Sequence, residues 1–174
     1  PEVRQEAPDS AGSYCTFSFR GTAHALRRDL FLELGGYRDH LVHQGEEMDY
    51  CIRMLDAGYV VRLGRSDIIK HYESPKRSHE RMDFYGSRND VLFGWHNVPS
   101  SSLPLYFFRT ILNTFRTAIQ VGRVRDFVAG RLAGFRDCVR YSDARQPVAL
   151  NTYRLYRWLR REGPKEVDQV HQYL

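Results

Sequence analysis

The stretch His43-Gln44-Gly45-Glu46-Glu47-Met48-Asp49-Tyr50-Cys51-Ile52-Arg53 decides how the chain is read. A glycine-containing loop runs into a helix, and Glu46, Glu47 and Asp49 fall in its first turn. Acids are favoured there because unpaired N–H groups and the helix dipole leave partial positive charge. Met48, Ile52 and Leu55 recur at near-helical spacing and predict the buried stripe. Asp49 and Arg53 are spaced to pair along one face, and Gly58 predicts a left-handed cap. Glu46 and Asp49 share a face, with Glu47 roughly 100° round from Glu46 on the next one. Read blandly, this is a capped amphipathic helix, since acidic first turns are common. The functional reading is that a helix N-terminus after a glycine loop suits anion handling and proton transfer.

The totals bound the answer. A chain of 174 residues suits one domain with a core, or one domain plus a helical appendage. With 42% hydrophobic and 13% aromatic residues it reads as globular. Cys15, Cys51 and Cys138 lie far apart with no Cys-x-x-Cys pair. That argues against a zinc or disulfide scaffold and predicts a reducing, cytoplasmic setting. No apolar run is long enough to span a bilayer. The chain begins at Pro1, so it is read as a piece of something longer. A net charge of +5 permits an anionic partner: a nucleoside diphosphate, an acidic lipid or a nucleic acid. No nucleic acid is expected, because no DNA- or RNA-binding motif is present.

Outward from the acidic helix, residues 1–13 read as a polar lead-in. Tyr14 to Arg20 alternates, with Tyr14, Thr16, Ser18 and Arg20 on one face and Cys15, Phe17 and Phe19 on the other, which predicts a half-buried strand. Gly21-Thr22-Ala23 turns the chain into a helix expected over His24 to Leu34 and stopped by Gly35-Gly36. Arg27-Arg28 reads as a solvated pair or a phosphate contact. Tyr37 to Gly45 is a loop whose His40 and His43, ahead of Glu46, raise a metal site with no second shell to support it. Tyr59 to Leu63 and Asp67 to His71 predict two further strands. Tyr72 to Ser78 reads as a polar loop, and a helix is expected over His79 to His96 with Tyr85, Leu92 and Trp95 inward and Arg88-Asn89 in its middle.

From residue 100 the character changes. Leu105, Phe108, Ile111/Leu112, Phe115 and Ile119 mark one amphipathic helix, with Pro104 at its start. Val124, Phe127/Val128, Leu132, Phe135 and Val139 mark a second, and Leu150, Tyr153, Tyr156/Arg157 and Leu159 a third. Arginines are many here and acids few. Such helices can lie on an anionic membrane, or pack on the body of the protein or on a second copy. Gly130-Arg-Leu-Ala-Gly134 has the Gly-x-x-x-Gly spacing, a weak sign outside an apolar twenty-residue run.

Five pieces in order carry a resemblance. They are Phe19-Arg20-Gly21-Thr22-Ala23-His24-Ala25-Leu26-Arg27-Arg28, then Leu34-Gly35-Gly36-Tyr37-Arg38-Asp39, then Gly45 to Arg53 with Ala57-Gly58-Tyr59, then His71, then Tyr85-Gly86-Ser87-Arg88-Asn89. Together, over residues 15–99, they resemble the second half of family 2 glycosyltransferases, the inverting enzymes of GT-A fold. The fold the resemblance implies is α/β: residues 14–99 form a partial GT-A half with a short mixed sheet, followed over residues 100–174 by a basic α-helical extension. It places Glu47 at the general base, with Glu46 and Asp49 shaping the site. It aligns His71 with a histidine that completes a metal site or touches the diphosphate, and Arg88 with an arginine that contacts donor phosphates. Gly21 to Arg28, with Gly21, Thr22, Arg27 and Arg28, would line the donor and acceptor cleft. The implied partners are a nucleotide-sugar donor and a sugar or lipid-linked acceptor, and the implied cofactor is Mg or Mn.

One departure matters. In that family the nucleotide is held by an N-terminal half ending in Asp-x-Asp, and this sequence has no Asp-x-Asp. The chain is therefore expected not to turn over substrate alone. The competing expectation is a non-catalytic module that binds anions or an anionic membrane, at its cytoplasmic face, through the Arg-rich helices.

Overall fold

The computed structural model describes residues 7–9, 11–64 and 78–173. In chain order the elements are β1 (Tyr14–Thr16), α1 (Arg28–Glu33), α2 (Glu46–Asp56), β2 (Val61–Arg62), α3 (His79–Asn97), α4 (Leu103–Val121), α5 (Val124–Arg140), a 3-10 turn (Ser142–Ala144), α6 (Leu150–Glu162), β3 (Lys165–Glu166) and α7 (Val167–His171). The structure is mixed α/β and mostly helical. Its described residues fall into two units of non-contiguous chain. The first draws on Pro1–Gly36, Glu47–Tyr72 and Val148–Leu174, the second on Tyr37–Glu46 and Glu73–Pro147.

The first unit carries a three-stranded sheet in the order β2-β1-β3. Cys15 lies opposite Arg62 on one side and opposite Lys165 on the other, and both pairings are antiparallel. The described sheet is thus antiparallel, not mixed, because the second neighbour of β1 comes from the C-terminal segment, which was not read as a strand. Tyr14, Cys15 and Thr16 are all buried, so β1 is covered on both faces and stops well short of Arg20. The expected strand over Asp67 to His71 lies outside the described residues.

The helix expected from His24 begins only at Arg28. Ala23 N–H donates to the Arg20 carbonyl at 3.2 Å, and His24 stacks on Phe19 at 4.3 Å. These contacts hold the preceding residues in a turn. α2 buries Asp49, Tyr50, Cys51, Ile52, Met54 and Leu55. Gly58, at φ +82°, takes the left-handed cap, and Tyr59 N–H donates to the Met54 carbonyl at 2.9 Å. Ala149 precedes α6 and has no side-chain oxygen to cap it. Asp56 does so instead, accepting from Ala149 N–H at 2.9 Å and from the Thr152 hydroxyl at 2.7 Å. Tyr156 meets the Phe17 ring edge-on, with centroids 5.7 Å apart.

In the second unit α3 packs mainly on α5, with α4 laid against both. Leu41, Val91, Leu92 and Cys138 form a core bordered by Trp95 and Phe107. The Gly-x-x-x-Gly spacing marks this helix crossing. A Cβ on Gly130 would stand 2.2 Å from the Phe84 carbonyl oxygen, and one on Gly134 2.8 Å from the Arg88 carbonyl oxygen and from Val91 Cβ. Backbone cannot give way as a flexible side chain can, so a methyl here separates the helices. Gly130→Ala is expected to cost about 1–3 kcal/mol, read as a lower urea midpoint. A midpoint equal to that of the parent chain would show that the helices do not approach this closely.

The stripe predicted for α4 is not its packed face. Leu105, Phe108, Leu112, Phe115 and Ile119 are exposed, whereas Thr114 and Ala118 are buried. The packed side is held by polar groups. Tyr106 Oη donates to the Asp90 carbonyl at 2.9 Å, and Arg131 donates to the Thr110 carbonyl at 3.2 Å and to the Thr114 hydroxyl. Among the described residues no helix is long and apolar enough to cross a membrane.

Candidate active site

The loop into α2 is built by backbone that few sequences tolerate. Gln44 has φ +67° and Gly45 φ +92°, so two consecutive residues lie in the left-handed region. Asn89 holds the turn from α3: its Nδ2 donates to the His43 carbonyl at 2.9 Å and to the Gln44 carbonyl at 2.7 Å. Arg88 holds the loop's start, donating from Nη1 to the His40 carbonyl at 2.8 Å. Its Nε pairs with Asp137 Oδ2 at 2.7 Å in a buried ion pair. Sequence reading set Arg88 against donor phosphates; the structure places its guanidinium in this internal network. The resemblance gives Asn89 no role of its own. A mid-helix asparagine is itself a signal, because its side chain competes for backbone groups and is ill suited to a helix interior.

Within the first unit the carboxylates of α2 have unlike surroundings. Asp49 is fully buried and pairs with Arg53 at 3.0 Å. Arg53 Nη2 also donates to the Gly36 carbonyl at 2.6 Å, and Nη1 donates to the Leu34 carbonyl. The pair therefore ties α2 to the end of α1, and Asp49 acts as a brace. Glu46 is half-buried.

Glu47 is also half-buried, and its carboxylate makes no hydrogen bond or ion pair among the described residues. Its Oε1 lies against the turn after β1, where a Cβ on Gly21 would stand 2.3 Å away. One turn further on, Cys51 is buried, and burial with a smaller push from the Glu47 charge raises its thiol to about 12. That sulfur stays protonated at neutral pH.

The remaining predicted positions are more open. Gly21, Thr22, Arg27 and Arg28 are exposed, and Arg27 pairs with Asp29 at the surface. His71 lies outside the described residues. His40 and His43 do not join Glu46 in a metal cluster. His40 Nε2 lies 2.9 Å from His96 Nε2, and His43 meets Tyr85 edge-on. Among the described residues no group of three or more His, Cys, Asp or Glu side chains could hold a metal ion.

Gly21→Ala tests the Gly21–Glu47 contact. The atom in the way is the free end of a side chain, so the fold should lose less than about 1 kcal/mol while the carboxylate is turned aside. The expected result is an unchanged melting midpoint with a shifted Glu47 side-chain carboxyl resonance in 13C NMR. An unmoved resonance would mean that the two groups are not in contact.

No family model matches the chain, and no curated protein or solved structure matches it. What the site can do rests on its own chemistry.

Proposed function

We propose that the chain is the acceptor-side half of an inverting glycosyltransferase of the family 2 kind, with Glu47 as general base. One observation supports this most. Asp49 is taken up by Arg53, whereas Glu47 at the helix N-terminus has an unpartnered carboxylate among the described residues, held against an exposed glycine turn.

In the proposed reaction an acceptor hydroxyl gives its proton to the Glu47 carboxylate as its oxygen attacks the anomeric carbon. The bond from that carbon to the diphosphate oxygen breaks, and its electron pair leaves with the nucleoside diphosphate. A single displacement inverts the centre. Glycine at position 21 leaves room for the carboxylate beside the turn, and the resemblance assigns the exposed Thr22, Arg27 and Arg28 to the donor and acceptor cleft. Asp49 and Arg53 are positioning residues, which tie α2 to the end of α1. A divalent cation, when bound, would offset charge growing on the diphosphate. Its family ligands include an Asp-x-Asp motif that residues 1–174 lack, so donor binding is assigned to another half of the enzyme.

The test compares two proteins. Residues 1–174 with nucleotide sugars, Mn²⁺ and acceptors are expected to release no acceptor-dependent diphosphate. The protein that adds the donor-binding half is expected to release it and to lose that release with Glu47→Gln. Undiminished release by the variant sinks the assignment, and a binding module without chemistry would give no release from either protein.

A further inference from the structure

The row Leu105, Phe108, Leu112, Phe115 and Ile119 recurs every three or four residues along α4, and its members are between 43% and 68% exposed. It occupies one face for most of the helix. The opposite face is the packed one, through Thr114, Ala118, Tyr106 and the bonds from Arg131. The row is therefore not the inner side of the second unit.

Its charge is one-sided. Arg109 and Arg116 stand about 60° and 40° round from Leu112, along one edge of the row. α4 contains no Asp or Glu. On α5 Leu132 and Val139 are exposed as well, but there Arg136 pairs with Asp137 and the helix carries Asp126, so its charge is mixed.

We propose that this face of α4 docks the protein on an anionic lipid bilayer, lying along the interface. The aromatic and aliphatic side chains enter the acyl boundary, while the two guanidinium groups reach back to lipid phosphates. Arginine suits that contact because its planar fork can grip a phosphate with two donors. Charge complementarity selects this occupant over a second copy of the chain: a copy laid on the same row brings no acid from α4 to Arg109 or Arg116. The inference is independent of the glycosyltransferase reading and concerns α4 alone.

The experiment pellets residues 1–174 with vesicles of phosphatidylcholine, or of phosphatidylcholine with phosphatidylglycerol, at rising NaCl. Binding is expected only with the acidic lipid and should fall as salt screens it. Phe108→Ser with Phe115→Ser should lower binding at least about 10-fold, and Arg109→Gln with Arg116→Gln several-fold with a flatter salt dependence. All four positions are exposed, so circular dichroism and the melting midpoint should match the parent chain. Equal binding to both vesicles, no binding to either, or variants that pellet like the parent overturn the proposal. So does a dimer in sedimentation velocity that Phe108→Ser with Phe115→Ser dissolves, because the row then belongs to a second copy.

Discussion

Glu47→Gln, made in a protein that joins this chain to the proposed donor-binding half, is expected under the proposed function to lower acceptor-dependent turnover by about 10²–10⁴-fold, the usual worth of a positioned base. The fold should hardly register the change. Glutamine keeps the shape and an oxygen to lie against Gly21, and no partner loses its counter-charge, because the Glu47 carboxylate has none among the described residues. The stability change should stay within about 0.5 kcal/mol, as for a substitution that strands nothing. Asp49→Asn is the contrasting control. It removes the counter-charge of Arg53, whose guanidinium also holds the Leu34 and Gly36 carbonyls, so it should lower stability whatever it does to turnover. The informative outcome is the split: turnover lost at position 47 with the melting midpoint kept, and midpoint lost at position 49. A Glu47→Gln enzyme that unfolds early would make that residue a structural prop instead.

The second large effect lies at Arg88 and Asp137. Their side chains are 8% and 4% exposed and bonded at 2.7 Å. Among the described residues Asp137 is the only carboxylate bonded to Arg88, whereas Asp137 also accepts from Arg136 at 3.1 Å. Asp137→Asn leaves the Arg88 charge in the interior without its counter-ion and should cost about 3–5 kcal/mol, and Arg88→Met should cost less because Arg136 stays on the carboxylate, both read from urea midpoints at neutral pH. Replacing both with apolar residues should recover part of the loss, since the stranded charge goes with its partner. Burial pushes the Asp137 carboxyl up, but hydrogen bonds from Arg88 and Arg136 outweigh it and hold the group below its ordinary value. A carboxyl depressed by folding contributes stability that is present above its unfolded value and is lost as pH falls through the folded one. The gap between parent and Asp137→Asn should therefore be widest above about pH 4 and narrow in stronger acid. A cost below about 1 kcal/mol for Arg88→Met would show that the pair contributes little beyond offsetting its own desolvation. Because Arg88 also holds the His40 carbonyl, amide exchange over residues 40–45 should quicken in the same variant.

Much of the local structure was legible. The acidic turn, the buried Ile52 and Leu55 of α2 and the Gly58 cap follow from spacing and from the one residue type that adopts positive φ without strain, whereas Met48 of the same predicted stripe is only half-buried. α3, α4 and α5 begin and end within a few residues of where periodicity put them. The Asp49–Arg53 pair was legible too, because residues four apart on a helix must be neighbours.

Other features depend on parts of the chain that meet only after folding. Lys165–Glu166 is a strand because Tyr14 and Cys15 offer it hydrogen bonds, and two residues have no period to read. Arg88 was matched to a phosphate and lies against Asp137, forty-nine positions away. Spacing alone could not tell a solvated arginine from a buried one. The row on α4 has the spacing of a core stripe, and only the packing of Thr114 and Ala118 shows that it faces outward.

The sequence by itself determined the extents of α2 to α6 to within a few residues, the Gly58 cap and the carboxylates at the head of α2, because these depend on residues within a turn or two of one another. Tertiary structure decided that the Asp49–Arg53 pair is buried and tied to the end of α1 while Glu47 is left open, and which side of α4 is covered. Those outcomes turn on burial and counter-charge, which are properties of neighbours that the chain order does not reveal.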